Sequence, residues 1–133
     1  MVGVGSGIIH DLFQKTLSLK KLYLPKIRTA DDFHAIRVQA PLKLEPGLKG
    51  VPEPEKGEEA ETLDLILVPG VVFDPKGQRL GMGKGYYDRF LPRYPQALKI
   101  GLAYEEQMVE KLPVSSYDVP VDLVITDQHV YLL

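Results

Sequence analysis

Between Leu65 and Leu91 the chain reads LILVPGVVFDPKGQRLGMGKGYYDRFL, and few arrangements accommodate that order of side chains. The reading is a buried strand, then a glycine-rich loop carrying Arg79 and Lys84, then a helix opening on Tyr86-Tyr87-Asp88-Arg89. Glycines at 81, 83 and 85 leave three of five successive positions without side chains, so backbone N–H groups can come close to a ligand. The start of a helix adds unpaired donors and a partial positive charge. With the charges of Lys84 and Arg79 beside it, the junction predicts polyphosphate binding. A structural turn is the alternative, because a Gly-x-Gly-x-Gly run alone is a weak signal. It is not a P-loop, since Gly85 and not Ser or Thr follows Lys84, and the third glycine comes one residue early for a dinucleotide fingerprint. Two adjacent tyrosines, a carboxylate and the cations tip the balance toward a ligand.

Larger classes are excluded by composition. At 133 residues the expectation is one domain over 1–133, with 44% apolar and 26% charged residues, ordinary for a globular protein. A net charge of −2 without a dense basic run gives no basis for nucleic-acid binding. No apolar stretch approaches a membrane span, and the start lacks the pattern of a signal peptide, so a cytoplasmic protein is expected. The absence of cysteine removes disulfides, thiolate metal sites and thiol nucleophiles. His10, His34 and His129 are scattered without ligand spacing.

Along the chain, apolar residues at 8, 9, 12, 13, 17 and 19 predict an amphipathic helix over Ile8 to Leu19. Leu22 to Ile27 reads as a short strand ended by the basic residues around Lys26 and Arg28, and Phe33 to Ala40 as a half-buried strand. The stretch from Leu44 to Leu63, with Pro46, Gly47, Gly50, Pro52, Pro54 and Gly57, reads as a surface loop whose Glu58, Glu59 and Glu61 form a solvated face. Asp64 to Pro69 is continuously apolar, the pattern of a central parallel strand covered on both faces. A helix from about Gly85 to Arg93, a buried strand at Leu98 to Ala103, a helical turn at Glu105 to Lys111, a strand at Val121 to Ile125 and an edge strand at His129 to Leu132 complete the pattern. Alternating strands and helices predict an α/β three-layer sandwich with a mostly parallel central sheet. In such sheets the ligand lies beyond the carboxyl ends of the strands. The loops after Pro69, Tyr104 and Ile125 fall on that edge.

Several residues admit two readings. Lys84 is either a solvated lysine or a mobile phosphate ligand with three donors. Arg79 either pairs with Asp74 across the loop or forks onto phosphate. Tyr86 and Tyr87 point roughly 100° apart on a helix, so one is core and the other can line a pocket. Asp88 suits a first helical turn as well as a hard cation. Asp122, read as buried in the apolar strand Val121-Asp122-Leu123-Val124, is costly unless paired or bound to metal.

Pro69-Gly70-Val71-Val72-Phe73-Asp74, followed by Arg79-Leu80-Gly81-Met82-Gly83-Lys84-Gly85-Tyr86-Tyr87-Asp88-Arg89, closely resembles the signature of the 5-formyltetrahydrofolate cyclo-ligase family. The likeness continues through Lys99-Ile100-Gly101-Leu102-Ala103-Tyr104, Gln107, Leu112-Pro113 and Asp118-Val119-Pro120-Val121-Asp122. More loosely it reaches back to Leu22-Tyr23-Leu24-Pro25-Lys26 and Gly50-Val51-Pro52-Glu53-Pro54, so that about 110 residues are covered. The resemblance implies a fold akin to sugar-phosphate isomerases and coenzyme A transferases. It further implies an ATP-dependent cyclisation of 5-formyltetrahydrofolate to 5,10-methenyltetrahydrofolate, releasing ADP and phosphate. The stretch from Arg79 and Leu80 through Gly81, Met82, Gly83, Lys84 and Gly85 to Tyr86 and Tyr87 would bind the nucleotide. Lys84 and Tyr86 would be catalytic, and Asp88 and Asp122 would hold Mg²⁺. The partners implied are ATP and a reduced folate, in a monomer or weak homo-oligomer. Members of the family open on a basic helix that helps bind ATP, then a Glu-bearing segment that contacts folate. MVGVGSGIIHDLFQKTLSLKK shows neither, so an amino-terminally shortened member is expected. An inactive paralogue or a folate- or nucleotide-binding module is the alternative function, and a different phosphate-handling α/β enzyme is a third.

Overall fold

The computed structural model describes residues 21–29, 32–39, 43–47, 52–55, 57–81, 85–113 and 119–132. The helix expected over residues 8–19 lies outside the described residues. Those described fall into two compact units that divide between Glu61 and Thr62.

In the first unit, β1 (Leu22–Thr29) and β2 (Asp32–Val38) form an antiparallel pair, with Leu22 opposite Val38 and an irregularity between Ile27 and Thr29. β1 therefore runs past the basic residues expected to end it. Lys26 does not break the strand because its ammonium is taken up by neighbours, the Glu45 carboxylate and the Pro54 carbonyl at 3.0 Å. The stretch from residue 44 to 63 also departs from a plain surface loop. β3 (Leu44–Pro46) pairs antiparallel with β4 (Pro52–Pro54). Prolines at the ends of so short a pair forfeit few ladder bonds, which is why a proline-rich sequence can still be a strand. Glu53 is only 6% exposed, and its Oε2 accepts the Ile27 N–H at 3.2 Å. Glu59 makes a bridge to Ile36 and its carboxylate binds His34 Nδ1. Glu58 and Glu61 do stay exposed, as a solvated face should.

The second unit is built on a four-stranded sheet in the order β10-β9-β8-β5. β5 (Leu65–Val68), β8 (Leu98–Leu102) and β9 (Leu123–Ile125) are parallel, and β10 (Val130–Leu132) is antiparallel to β9. All four strands were legible as apolar runs, and their mixed sheet carries few helices among the described residues. Ahead of β8 lies α1 (Tyr86–Phe90), continued by a 3-10 turn at Leu91–Arg93. Pro92 at the start of that turn lacks the N–H that would extend the α-helical ladder.

β5 is not a central strand covered on both faces. It ends the described sheet, and Leu65 and Leu67 are 48% and 40% exposed while Ile66 and Val68 are buried. Register explains the split. Leu67, Ile100, Leu123 and Leu132 form one row across the sheet, and Val68, Gly101, Val124 and Tyr131 form the adjacent row on the other face. An unbroken apolar run cannot distinguish a strand buried on both faces from one buried on a single face.

Between β5 and α1 the chain makes a hairpin of β6 (Val72–Phe73) and β7 (Arg79–Leu80). Phe73 is fully buried, and glycine makes room for it twice. A Cβ at Gly101 would stand 2.7 Å from Phe73 Cε1, and one at Gly70 would stand 2.8 Å from Phe73 Cζ. The ring therefore lies directly on the backbone of β8 and on the chain leaving β5. Gly101→Ala is expected to lower the unfolding free energy by about 1–3 kcal/mol, the usual range for overpacking a filled core. Chemical denaturation measures it. On a Phe73→Leu background the same glycine change should be clearly less harmful, and strictly additive losses would show that the ring and Gly101 do not compete for space.

Candidate functional site

Because β5, β8 and β9 are parallel, their following loops emerge on one edge, as expected for a ligand-binding edge. Side chains tie the three loops together. Gln107 Nε2 donates to the carbonyls of Gly70 at 3.2 Å and Val71 at 3.0 Å, after β5. Its Oε1 accepts the Tyr104 N–H at 2.9 Å, after β8. Glu105, in the 3-10 turn Glu105–Gln107, reaches the loop after β9. It accepts from Thr126 Oγ1 at 2.7 Å and from the Tyr131 hydroxyl, and His129 Nδ1 lies 3.1 Å from it. The Glu105 N–H donates to Asp127 Oδ1 at 2.8 Å.

The signature segment folds against this edge. Asp74 is 2% exposed and fully engaged: Oδ1 accepts the Lys76 and Gln78 N–H groups at 2.9 and 3.0 Å, and Oδ2 accepts that of Leu112 at 3.0 Å. This is an Asx-type turn with Gly77 at φ 81°, the left-handed conformation the tight reversal requires. Asp74 is thus committed to backbone, and Arg79 pairs elsewhere. Arg79 lies in β7 rather than in a loop, its side chain 6% exposed, with Nη2 donating to Asp88 Oδ1 at 2.8 Å and its guanidinium 5.7 Å from the Tyr87 ring. Asp88 Oδ1 also accepts the Val119 N–H at 3.2 Å.

Gly85 caps α1 with φ 67° and ψ 22°, and its carbonyl accepts the Arg89 N–H at 3.1 Å. A side chain there would be strained in backbone conformation and would stand 3.1 Å from Arg89 Nη1. α1 has five residues, too short a helix for its dipole to carry the anion site expected at this junction. Both tyrosines are half-buried, with different neighbours. Tyr87 packs edge-on to Phe90, and burial raises its phenol pKa to about 12 against the pull of Arg79. Tyr86 lies under Arg89, 5.5 Å from ring to guanidinium. Met82, Gly83 and Lys84 lie outside the described residues, while Leu80 and Gly81 lead up to them.

Asp122 is not buried in an apolar strand. It is exposed and precedes β9, where its Oδ2 accepts the Lys99 N–H at 2.8 Å and its own N–H donates to the Lys99 carbonyl at 2.8 Å. The apolar neighbours that suggested burial alternate around it. Lys99 is near the start of β8, so this contact lies at the amino ends of the strands. Among the described residues no group of three or more His, Asp or Glu side chains stands close enough to hold a metal. A cation bridging phosphates takes only one or two carboxylates from the protein. Asp88 fits that demand, since both its observed bonds use Oδ1.

Sequence reasoning gave no role to Glu105 and none to Gln107 beyond its place in the resemblance. The available signal was the spacing of Tyr104 and Gln107, three residues apart just after a strand, which is that of a capping pair. Glu105 is held below the ordinary carboxylate range, chiefly by the hydrogen bond from Tyr131, then by Thr126 and by His129. Tyr131 is raised, first by that same bond. A lowered carboxyl stabilises the fold above its unfolded pKa and loses that contribution as pH falls through the folded value. A raised phenol stabilises below its unfolded value and loses this as pH rises through the folded one. The cluster should therefore hold from just above the carboxylate range up to the phenol range. Glu105→Gln is expected to flatten both flanks of the stability–pH curve, measured by thermal melting across pH. Curves parallel to wild type would contradict the linkage.

The 5-formyltetrahydrofolate cyclo-ligase family model matches residues 5–127. The probable 5-formyltetrahydrofolate cyclo-ligase of Caenorhabditis elegans is 38% identical over 131 residues, covering 86% of this chain and 64% of that protein. The solved structure of Aquifex aeolicus 5,10-methenyltetrahydrofolate synthetase superposes with a TM-score of 0.81 at 43% identity, over 93% of this chain and 64% of that one. The Mycoplasma pneumoniae 5,10-methenyltetrahydrofolate synthetase gives 0.66 at 30% identity, over 88% and 63%. The chain thus spans a little under two thirds of the length of these relatives. With one family model running through the signature segment and across both compact units, the chain belongs to the 5-formyltetrahydrofolate cyclo-ligase family.

Proposed function

We propose that this chain is an ATP-dependent ligase that cyclises 5-formyltetrahydrofolate to 5,10-methenyltetrahydrofolate with release of ADP and phosphate. The observation that carries the reading is the likeness to the Aquifex synthetase over 93% of this chain, together with a family model that runs through the signature segment. The formyl oxygen attacks the γ-phosphorus of ATP and ADP leaves. The N10 amine then adds to the activated formyl carbon, and phosphate departs with the former formyl oxygen. An amide-like oxygen leaves readily only once phosphorylated, which is why the reaction consumes ATP.

What the protein contributes is position and charge. The glycine run from Gly81 through Gly83 to Gly85 brings backbone donors to the phosphates, with Lys84 and Arg79 as cations and Leu80 and Met82 flanking. Tyr86 and Lys84 act at the reacting groups, while Tyr87 shapes the inner wall. Asp88, with Asp122 as the second carboxylate that the resemblance implies, would hold Mg²⁺, and the ion would supply charge neutralisation at the phosphates. The finer architecture in this reading is a three-layer sandwich, and the setting is cytoplasmic, with a monomer or weak homo-oligomer acting on soluble substrates. Among the described residues no helix is long and apolar enough to cross a membrane.

Incubating the chain with ATP, Mg²⁺ and 5-formyltetrahydrofolate should produce the absorbance of the methenyl product. Lys84→Ala is expected to weaken ATP binding by about tenfold or more, as loss of a charged hydrogen bond of about 1.5–3 kcal/mol implies. Asp88→Asn should raise the Mg²⁺ concentration needed for half-maximal rate, and Asp122→Asn should do so with the fold intact. Unaltered ATP affinity in Lys84→Ala would remove that lysine from its role. A chain that binds ATP or folate without forming product is a binding module instead.

A further inference from the structure

We propose that Gln107 is a positioning residue for the nucleotide-binding loop, through its hydrogen bonds to the Gly70 and Val71 carbonyls; this rests on the ligase reading above. The amide orientation is fixed by its partners. The Tyr104 N–H can only donate, so it selects Oε1, and the two carbonyls can only accept, so they select Nε2. Both hydrogens of one amide are thereby spent on adjacent carbonyls, a demand that among similar side chains only Gln meets at this reach.

The contact lies two hydrogen bonds from the glycine run. Gln107 holds the Val71 carbonyl, and the Val71 N–H donates at 2.7 Å to the carbonyl of Leu80, the residue before Gly81. The next residues bind the hairpin as well: Met108 bridges to Phe73, and the Val109 N–H donates to the Phe73 carbonyl at 2.9 Å. Phe73 is already fixed on Gly70 and Gly101 by packing. Val71 is exposed and has no such anchor, so its placement falls to the hydrogen bonds of its peptide groups. Phe73 fixes the hairpin that follows, and Gln107 sets the peptide at Val71 through which β5 passes into it.

Gln107→Glu is the test, because it keeps the length and the acceptor for Tyr104 but aims an anionic oxygen at two carbonyls. The expected result is a rise of about tenfold or more in KM for MgATP, with KM for the folate nearly unchanged. As pH falls into the carboxylate range the gap to wild type should narrow, since a protonated carboxyl regains one donor. Gln107→Met, of similar length and uncharged, is run beside it and should show the same split without the pH effect. If both KM values rise together with a falling melting temperature, the residue is a structural brace and the proposal is overturned. Wild-type KM for MgATP in both variants overturns it equally. Failure of the ligase reading is told apart at once, because then the wild-type chain itself does not form product, whether or not it binds ATP, and the positioning role falls with it.

Discussion

The placement of the signature segment depends on one contact, the ring of Phe73 lying on backbone where Gly70 and Gly101 have no side chains. An aromatic ring buries a large apolar area, and two glycines let it settle closer to a strand than any side chain would permit. The hairpin of β6 and β7 has two residues in each strand, far too few to be stable alone. It is held because its first strand carries this ring into the core. The parallel bridge from Phe73 to Met108 then gives β6 a partner on its other side.

Asp74 performs the complementary task at the turn. A buried carboxylate without partners would cost several kcal/mol. Here its oxygens collect N–H groups from Lys76, Gln78 and Leu112, so a local turn and a distant segment are satisfied by the same charge. The turn is gripped from a third side, since the Val121 N–H donates to the Gly77 carbonyl at 2.9 Å. Phe-Asp at 73–74 is thus a packing unit followed by a hydrogen-bonding unit.

Much of this was legible in the sequence because apolar runs bounded by Gly and Pro have few alternatives to strands. Strands β5, β8, β9 and β10 followed from that pattern, as did the helix opening at Tyr86. Pairing was less legible. Pro52-Glu53-Pro54 reads as loop because proline disfavours strands in general, and only the position opposite β3 reveals a pair too short to be harmed. Partner choice was least legible. Arg79 stands five residues from Asp74 and nine from Asp88, and the nearer carboxylate was the one pairing weighed beside phosphate. The carboxylate of Asp74 was already occupied by amides, which no spacing rule reports. Asp122 misled for a related reason, as apolar neighbours in a strand say nothing about which end of the sheet is open to water.

The pairing of Arg79 with Asp88 bears on the electrostatics of the loop. It joins the residue before Leu80 to the third residue of α1, so the glycine run is closed at its base by a pair whose cation is nearly buried. Closing a loop at its base removes freedom that a ligand would otherwise have to remove on binding. The pair also nearly cancels its own charge. Asp88 then serves two partners, since Arg79 and the Val119 N–H share Oδ1. One carboxylate oxygen thereby joins β7, α1 and the segment before β9.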